Sequence, residues 1–376
     1  MARSIALFDS WRGSYDDNPR AISERLGQTH PEVTRVWVLR DPSTAPDGVR
    51  AVRPFGAGHL WALLRARYVF ANNAMPFWWR KPRRCFYVQT WHGPGAFKKV
   101  AWDIVGDEDS RYAKFLEKFA RDVAKWDLLV TTNALATRLF PHAFRYDGRI
   151  VESGSPRSDL LLAALGSGRR DEVRHDLGLE SSARAVLYAP TSRGEPGKDP
   201  EVADLVAALV AGLDEDDVLL LRAHPNDHVL ASYAPVSHRV RNVSAADGLD
   251  VLLAADVLVT DYSSIFFDFA LTGRPVLFVF EDLERYRDQV RGLYLDVESD
   301  LPGPSVRDMG ELGATLRSLP AQVDHSAWLA EHLPHEDGHA ADRVIAAVFD
   351  ERTPPASRDR HVSGGPTAGP GSPTPR

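Results

Sequence analysis

Asp256 to Phe280 reads DVLVTDYSSIFFDFALTGRPVLFVF. An apolar run, VLVT, stops at Asp261, a short helical pattern follows over 263–272, and a second apolar run begins after Pro275. A strand that is apolar on both faces needs cover on both, and a helix between two such strands brings them side by side in parallel. This unit decides the class: α/β, built on parallel sheets.

The unit recurs in both directions. Upstream, strand-like runs fall at 4–10, 33–40, 68–73, 85–90, 128–133 and 148–153, with helical patterns at 19–26, 59–67 and 111–124. Nearer the quoted segment, runs at 185–191, 217–225 and 238–244 join those at 256–262 and 275–280, with helices at 201–213, 247–255 and 263–272. A chain of 376 residues exceeds what one core organises. Two doubly wound, Rossmann-like domains in series are therefore expected, over 1–165 and 166–350, with a helical connector around 156–183. Beyond Asp350 the chain is dense in Pro, Gly and Ser without periodicity, so 351–376 is expected to be a disordered tail.

Composition excludes several classes. The formal net charge of −7 gives no overall pull toward nucleic acid, so none is expected as a partner. The single cysteine, Cys85, excludes an internal disulfide and a cysteine-rich metal site. The N-terminus lacks a signal-peptide core and no apolar stretch reaches the length of a membrane span, which points to a cytoplasmic protein. No glycine-rich dinucleotide fingerprint or P-loop occurs, and His92, His224 and Asp261 lack close metal-ligand spacing. No cofactor and no metal-ligand set is expected, and a divalent-metal requirement is left open by the sequence.

Open parallel sheets bind ligands beyond the carboxyl ends of their strands. Four such ends are rich in polar and small residues: TWHGPG with His92, APTSRG with Thr191, Ser192 and Arg193, LRAHPND with Arg222 and His224, and TDYSSIFFD with Asp261, Ser263, Ser264 and Asp268. A lone histidine at such a point is more often a satisfied structural residue than a catalytic one, but four polar strand ends in one chain point to a site. Ser263 and Ser264 open a helix after a buried strand, which suits either a phosphate or an ordinary N-cap. Asp268, five residues after Ser263, either reaches a polyol hydroxyl or is a solvated helix residue.

Taken in order, YVQTWHG, SGSPRSDLL, YAPTSRG, LRAHP, the long block from Val259 to Asp296 and LPGP resemble the CDP-glycerol glycerophosphotransferase family of teichoic acid primases and polymerases. FDSWRGSYDDNPRAI and EDGHAADRVIAAVFD also match family-like positions, so the resemblance covers nearly all of the chain except the tail. It implies a GT-B-like architecture with the active site in the cleft between two Rossmann-like domains. The implied reaction moves glycerol phosphate from CDP-glycerol, or ribitol phosphate from CDP-ribitol, to a hydroxyl of a lipid-linked acceptor and releases CMP.

The resemblance also implies roles. His92 is the general base, with His224 beside it; Arg157, Arg222 and His224 contact the donor's pyrophosphate. Thr191, Ser192 and Arg193 line the nucleotide pocket, Ser263 and Ser264 bind phosphate, and Asp268 holds the glycerol hydroxyls. Gly93 and Pro94 admit the substrate. The chain departs from the family where Pro94 and Gly95 replace the usual Thr-Pro, and where Ser192 stands at a position that is commonly aromatic. Two other readings are a nucleotide-sugar glycosyltransferase of the same architecture and a non-catalytic scaffold for wall-polymer assembly.

A lipid-linked acceptor places the enzyme at the inner face of the membrane. MPFWWRKPRR, Met75 to Arg84, sets Phe77, Trp78 and Trp79 beside Arg80, Lys81, Arg83 and Arg84. This reads as an interfacial contact, or as a surface loop with partly buried tryptophans. Lys98 and Lys99 read as cations for an anionic acceptor, or as a solvated helix start.

Overall fold

The computed structural model describes residues 4–11, 13–106, 110–191, 202–224, 227–235 and 237–350. Strands β1 (Ile5–Asp9), β2 (Thr34–Val38), β3 (Arg50–Val52), β4 (Tyr68–Ala71), β5 (Phe86–Gln89), β6 (Leu128–Thr131) and β7 (Arg149–Glu152) form one sheet, ordered β3-β2-β1-β4-β5-β6-β7. Strands β8 (Arg184–Tyr188), β9 (Asp217–Leu221), β10 (Val240–Asn242), β11 (Val257–Thr260), β12 (Val276–Val279) and β13 (Ser305–Val306) form a second, ordered β10-β9-β8-β11-β12-β13. All pairings within both sheets are parallel. The unit at 256–280 is β11, the helix Ile265–Ala270 and β12, as its pattern predicts.

Strands β6, β11 and β12 are buried at every residue, so helices must cover both faces of each sheet. On one face of the first sheet Phe8 stacks between Trp37 and Phe70, at centroid distances of 5.4 and 5.0 Å. On the other, Trp126 and Phe144 pack edge to face. Fully burying side chains of this size contributes about 1.5–3 kcal/mol each.

Two segments cross between the domains. The last helix, Ala340–Phe349, lies in the range expected in the second domain, yet it buries Ala341, Val344 and Ile345 against Phe8, Ile22 and Leu26 of the first. Asp342 on that helix pairs with Arg25 at 2.6 Å. In the opposite direction, the chain after β5 carries Phe97 into the second core, edge-on to Phe266 at 5.1 Å.

In each sheet the strand order reverses beside the first strand, between β1 and β4 and between β8 and β11. Such switch points open a crevice at the carboxyl ends of the strands. Residues that follow β1, β5, β9 and β11 line one shared cavity of about 390 Å³, which places the two crevices on a single inter-domain cleft.

Candidate active site

His92 enters the cleft from the end of β5. Its Nδ1 lies 2.8 Å from the backbone oxygen of Asn72, at the end of the neighbouring strand β4. A carbonyl oxygen only accepts, so Nδ1 carries the hydrogen and Nε2 is the unprotonated nitrogen. Trp91 stacks on the imidazole at 4.4 Å and Trp11 packs against it at 4.8 Å. Burial among these rings lowers its pKa, outweighing the hydrogen bond to Asn72 and the nearby Asp17, which act to raise it. The outcome is a fixed, neutral imidazole.

Local backbone strain marks the same wall. Trp11, Asp17 and Trp91 all adopt left-handed φ angles, of 46°, 63° and 51°. Each costs roughly 1–2 kcal/mol in a residue with a Cβ, and such strain collects where surrounding structure holds functional geometry. Here the holding groups are side chains. Asn72 Oδ1 accepts from the Trp11 amide at 3.1 Å, and Asp17 Oδ2 accepts from Trp11 Nε1 at 3.0 Å and from Asn72 Nδ2 at 2.9 Å. Asn18 Nδ2 donates to the backbone oxygens of Thr90 and Trp91, both at 3.2 Å.

The second domain supplies the opposite wall. His224, after β9, lines the cleft with its pKa depressed to about 4 by burial, then by Lys98 and His92. Ser263 and Ser264 line it after β11, and Ser264 lies opposite Gly93, where an added Cβ would meet its Oγ at 3.9 Å. The helix that they open spans only six residues, and Ser264 caps no backbone amide with its side chain. Thr191 is buried, its amide donating to Asp261 Oδ1 at 2.7 Å and its Oγ1 accepting from Lys98 Nζ at 3.4 Å. Gly93, Pro94 and Arg222 also line the cleft.

Several expected roles meet a different geometry. Arg157 and Asp268 are spent on each other: Nε donates to Oδ1 at 3.0 Å and Nη2 to Oδ2 at 2.6 Å. Arg157 Nη1 also reaches Asp17 Oδ1 and the His92 backbone oxygen, both at 3.0 Å. Both side chains line the cleft while engaged with each other, so each presents to the cavity as half of an ion pair. Burial opposes the charge of Arg157, but Asp268 and Asp17 outweigh it and raise its pKa. Arg222 donates to the Ala246 oxygen at 3.0 Å, and Arg20 pairs with Glu24 at 2.9 Å and Asp247 at 2.6 Å. Ser192 and Arg193 lie outside the described residues.

Two further expectations divide. Trp78 is exposed, as is Arg80, but Trp79 is buried in the first core beside Tyr87, and Lys81 is ion-paired with Asp127. Trp79 thus belongs to the core because its ring fills the space beside β5. Lys98 and Lys99 start no helix. Lys98 lines the cleft, whereas Lys99 is held along an inter-domain backbone contact, its amide donating to the Gly292 oxygen at 3.0 Å.

The sequence reading omitted Trp11, Asp17, Asn18, Asn72 and Arg291. The first four follow β1 and β4, and the carboxyl-end rule applied to those two strands finds them. Arg291 follows no strand. Among the described residues no cluster of three or more His, Cys, Asp or Glu has the makings of a metal site, and no helix is long and apolar enough to cross a membrane.

With this geometry in place, comparison with known proteins is informative. The sequence pattern of the CDP-glycerol:poly(glycerophosphate) glycerophosphotransferase family matches residues 1–350. A teichoic acid poly(glycerol phosphate) polymerase of Bacillus subtilis is 30% identical over 93% of this chain, which spans only 49% of that protein's length. A teichoic acid glycerol-phosphate transferase of Staphylococcus aureus is 30% identical, covering 92% of this chain and 93% of its own. A solved structure of the wall teichoic acid polymerase TagF, a variant soaked with CDPG, superposes with a TM-score of 0.82 at 28% identity, over 93% of this chain and 88% of that one.

Proposed function

The chain belongs to the CDP-glycerol:poly(glycerophosphate) glycerophosphotransferase family, and on that premise we propose that it transfers glycerol phosphate, or a related alditol phosphate, from a CDP-linked donor to a hydroxyl of a lipid-linked, teichoic-acid-type acceptor, releasing CMP. The observation that carries this reading is His92, a neutral imidazole locked by its Nδ1 hydrogen bond to Asn72 at the floor of an inter-domain cleft. A base with Nε2 free and a pKa below that of a free imidazole is ready at neutral pH.

In the reaction, His92 Nε2 takes the proton of the acceptor hydroxyl as that oxygen attacks the phosphorus bearing the glycerol. The first sheet presents this base, and the second presents the donor groups. Thr191, Ser263 and Ser264 offer hydroxyls to the donor's phosphates and ribose. Neutral His224 donates a hydrogen bond there without adding charge. Arg157 acts as a positioning residue, holding the His92 carbonyl while it joins Asp17 to Asp268. Phosphoryl transfer of this kind needs little covalent chemistry from the protein, so orientation and charge stabilisation dominate.

The acceptor reaches the cleft from a membrane surface. Phe77 and Trp78 are exposed at 58% and 44%, and Arg80, Arg83 and Arg84 are exposed beside them. Exposed Phe115 and Lys118, whose ammonium lies 5.7 Å from the Phe77 ring, extend the same patch from the helix Ser110–Val123. Aromatic rings amid cations suit the headgroup region of an anionic leaflet, so the protein docks peripherally on the inner face.

The test is a donor panel. Purified protein is incubated with CDP-glycerol, CDP-ribitol and nucleotide sugars, with and without a lipid-linked primer, and nucleotide release is followed. Primer-dependent CMP release is expected; a nucleoside diphosphate from a sugar donor, with no CMP from either CDP-alditol, would overturn the reading.

A further inference from the structure

Residues 97–105 of the first domain and 291–294 of the second run against each other as a short antiparallel strap. Tyr294 N donates to the Phe97 oxygen at 2.8 Å, Lys99 N to the Gly292 oxygen at 3.0 Å, and Val105 N to the Arg291 oxygen at 3.1 Å. Lys98 pairs with Leu293 across this strap. Arg291 and Lys98 sit on opposite sides of this strap, and the charge of Arg291 acts on Lys98. Arg291 Nε is anchored on the Lys99 oxygen at 3.0 Å. Both cations line the cleft that holds His92 and His224.

Their juxtaposition is unfavourable as it stands. Two of the other arginines at the cleft are neutralised by carboxylates, Arg157 by Asp17 and Asp268 and Arg20 by Glu24 and Asp247, whereas Arg222, like Arg291, donates to backbone oxygen. Among the described residues neither Lys98 nor Arg291 forms an ion pair with a carboxylate. Asp261 is the acid that acts on Lys98, and it already accepts from the Thr191 amide. Two cations that line one cleft, neither in a carboxylate ion pair among the described residues, are arranged for an anion that arrives from outside.

We propose that Arg291 and Lys98 are further catalytic residues, which bind the non-bridging oxygens of the phosphorus under attack. This rests on the phosphotransfer reading above. The acceptor oxygen forms a bond to that phosphorus as its proton passes to His92 Nε2. The bond from phosphorus to the bridging oxygen breaks, and its electron pair leaves with CMP. Negative charge on the transferring group is densest between these two events, where a guanidinium fork and an ammonium lining the same cleft both reach it. The strap spans both domains, so this pair is assembled only when the cleft is formed.

The experiment measures Arg291→Gln, Arg291→Ala and Lys98→Met by CMP release from CDP-glycerol with primer, and by calorimetric binding of inorganic pyrophosphate. Each variant is expected to lose about 100-fold in kcat, the usual effect of removing one such donor, and to bind pyrophosphate at least 10-fold more weakly. Added guanidinium ion at millimolar concentration is expected to restore part of the activity of Arg291→Ala, which a purely structural strap residue would not permit. Lys98→Met serves as the second variant because the Lys98 side chain makes no strap bond. If kcat and pyrophosphate affinity stay within threefold of wild type in both positions, the assignment is wrong. Absence of CMP release by the wild type would instead refute the donor reading, and the pyrophosphate arm would still decide whether the two cations form an anion site.

Discussion

The guanidinium of Arg157 and the carboxylate of Asp268 meet in a two-point contact, at 3.0 and 2.6 Å, and Asp17 lies 3.0 Å from the remaining nitrogen. One arginine therefore ties the connector helix Pro156–Leu165 to the helices that begin at Asp17 and Ile265, one in each domain. The side chains of Asp17 and Asp268 are only 3% and 7% exposed. Removing the shared partner strands two buried carboxylates, which costs about 3–5 kcal/mol for a pair of this kind. Arg157→Met is expected to lower the denaturation midpoint accordingly, and Arg157→Met combined with Asp268→Asn to recover part of the loss. Equal stability of wild type and Arg157→Met would show that the contact carries no net energy.

His92→Ala is expected to reduce CMP release by about 100- to 10,000-fold, the range for removal of a general base. Binding of CDP-glycerol should change little, because the groups assigned to the donor's phosphates, Ser263, Ser264, Arg291 and Lys98, are left in place. Single-turnover rates beside equilibrium binding separate the two. A variant that turns over normally removes His92 from the base role.

The pH profile follows from two groups with opposite requirements. His92 acts unprotonated, and burial lowers its pKa, so kcat/KM falls on the acid side through an apparent pKa below 6.5. Lys98 acts protonated, and burial together with Arg291 lowers its pKa to about 7. Above that pH the free enzyme loses the ammonium and kcat/KM falls again. The expected profile is a bell whose alkaline limb falls near pH 7 and whose top lies on the acid side of that limb. A bound diphosphate favours the charged lysine, so the alkaline limb of kcat moves upward relative to that of kcat/KM, and Lys98→Met abolishes the limb. An alkaline limb that persists in Lys98→Met would assign it to another group.

Trp78 and Trp79 are neighbours in sequence with different fates. Trp78 is 44% exposed and Trp79 only 4%, packed against Tyr87. Phe77→Ala with Trp78→Ala should therefore weaken sedimentation with anionic phosphatidylglycerol vesicles and leave stability unchanged. Trp79→Ala should instead cost about 3–5 kcal/mol as a core truncation. Vesicle binding that is indifferent to the first pair would remove this patch as the docking surface.

How much of this was legible depends on how local each signal is. Strands β6, β11 and β12 announce themselves because burial on both faces leaves no polar position in the run beyond the terminal threonines Thr131 and Thr260. Strands β3 and β13 are edges of three and two residues, too short to display a period. His92, His224 and the serine pair were found because each follows an apolar run. The ties of Arg157 to Asp17 and Asp268 were not, since they join residues 140 and 111 positions apart. Arg291 lies inside the block from Val259 to Asp296 that carries the resemblance, but it follows no strand, and a strap between distant segments is what places it in the cleft.

Gly95, where this sequence leaves the usual Thr-Pro of its family, has a φ of +64°, and a Cβ built there would meet Phe267 Cε1 and Cζ at 2.5 Å. The left-handed backbone alone costs an alanine about 1–2 kcal/mol. The ring it meets is 1% exposed, with no room to swing aside. Gly95→Ala is expected to push the segment from 93 to 98 away from the second domain, breaking the bond from its own amide to Thr132 Oγ1 at 2.8 Å and displacing Lys98 from Thr191. Gly93→Ala is the matched control: its nearest foreign atoms lie 3.7 to 3.9 Å from the new carbon and its backbone is unstrained. Thermal unfolding should fall by several degrees for Gly95→Ala and stay within about one degree for Gly93→Ala. CMP release should drop in both, through loss of the strap geometry in the first and through bulk in the cleft in the second. Equal melting temperatures for the two variants would mean that close approach of Gly95 to Phe267 does not hold the domains together.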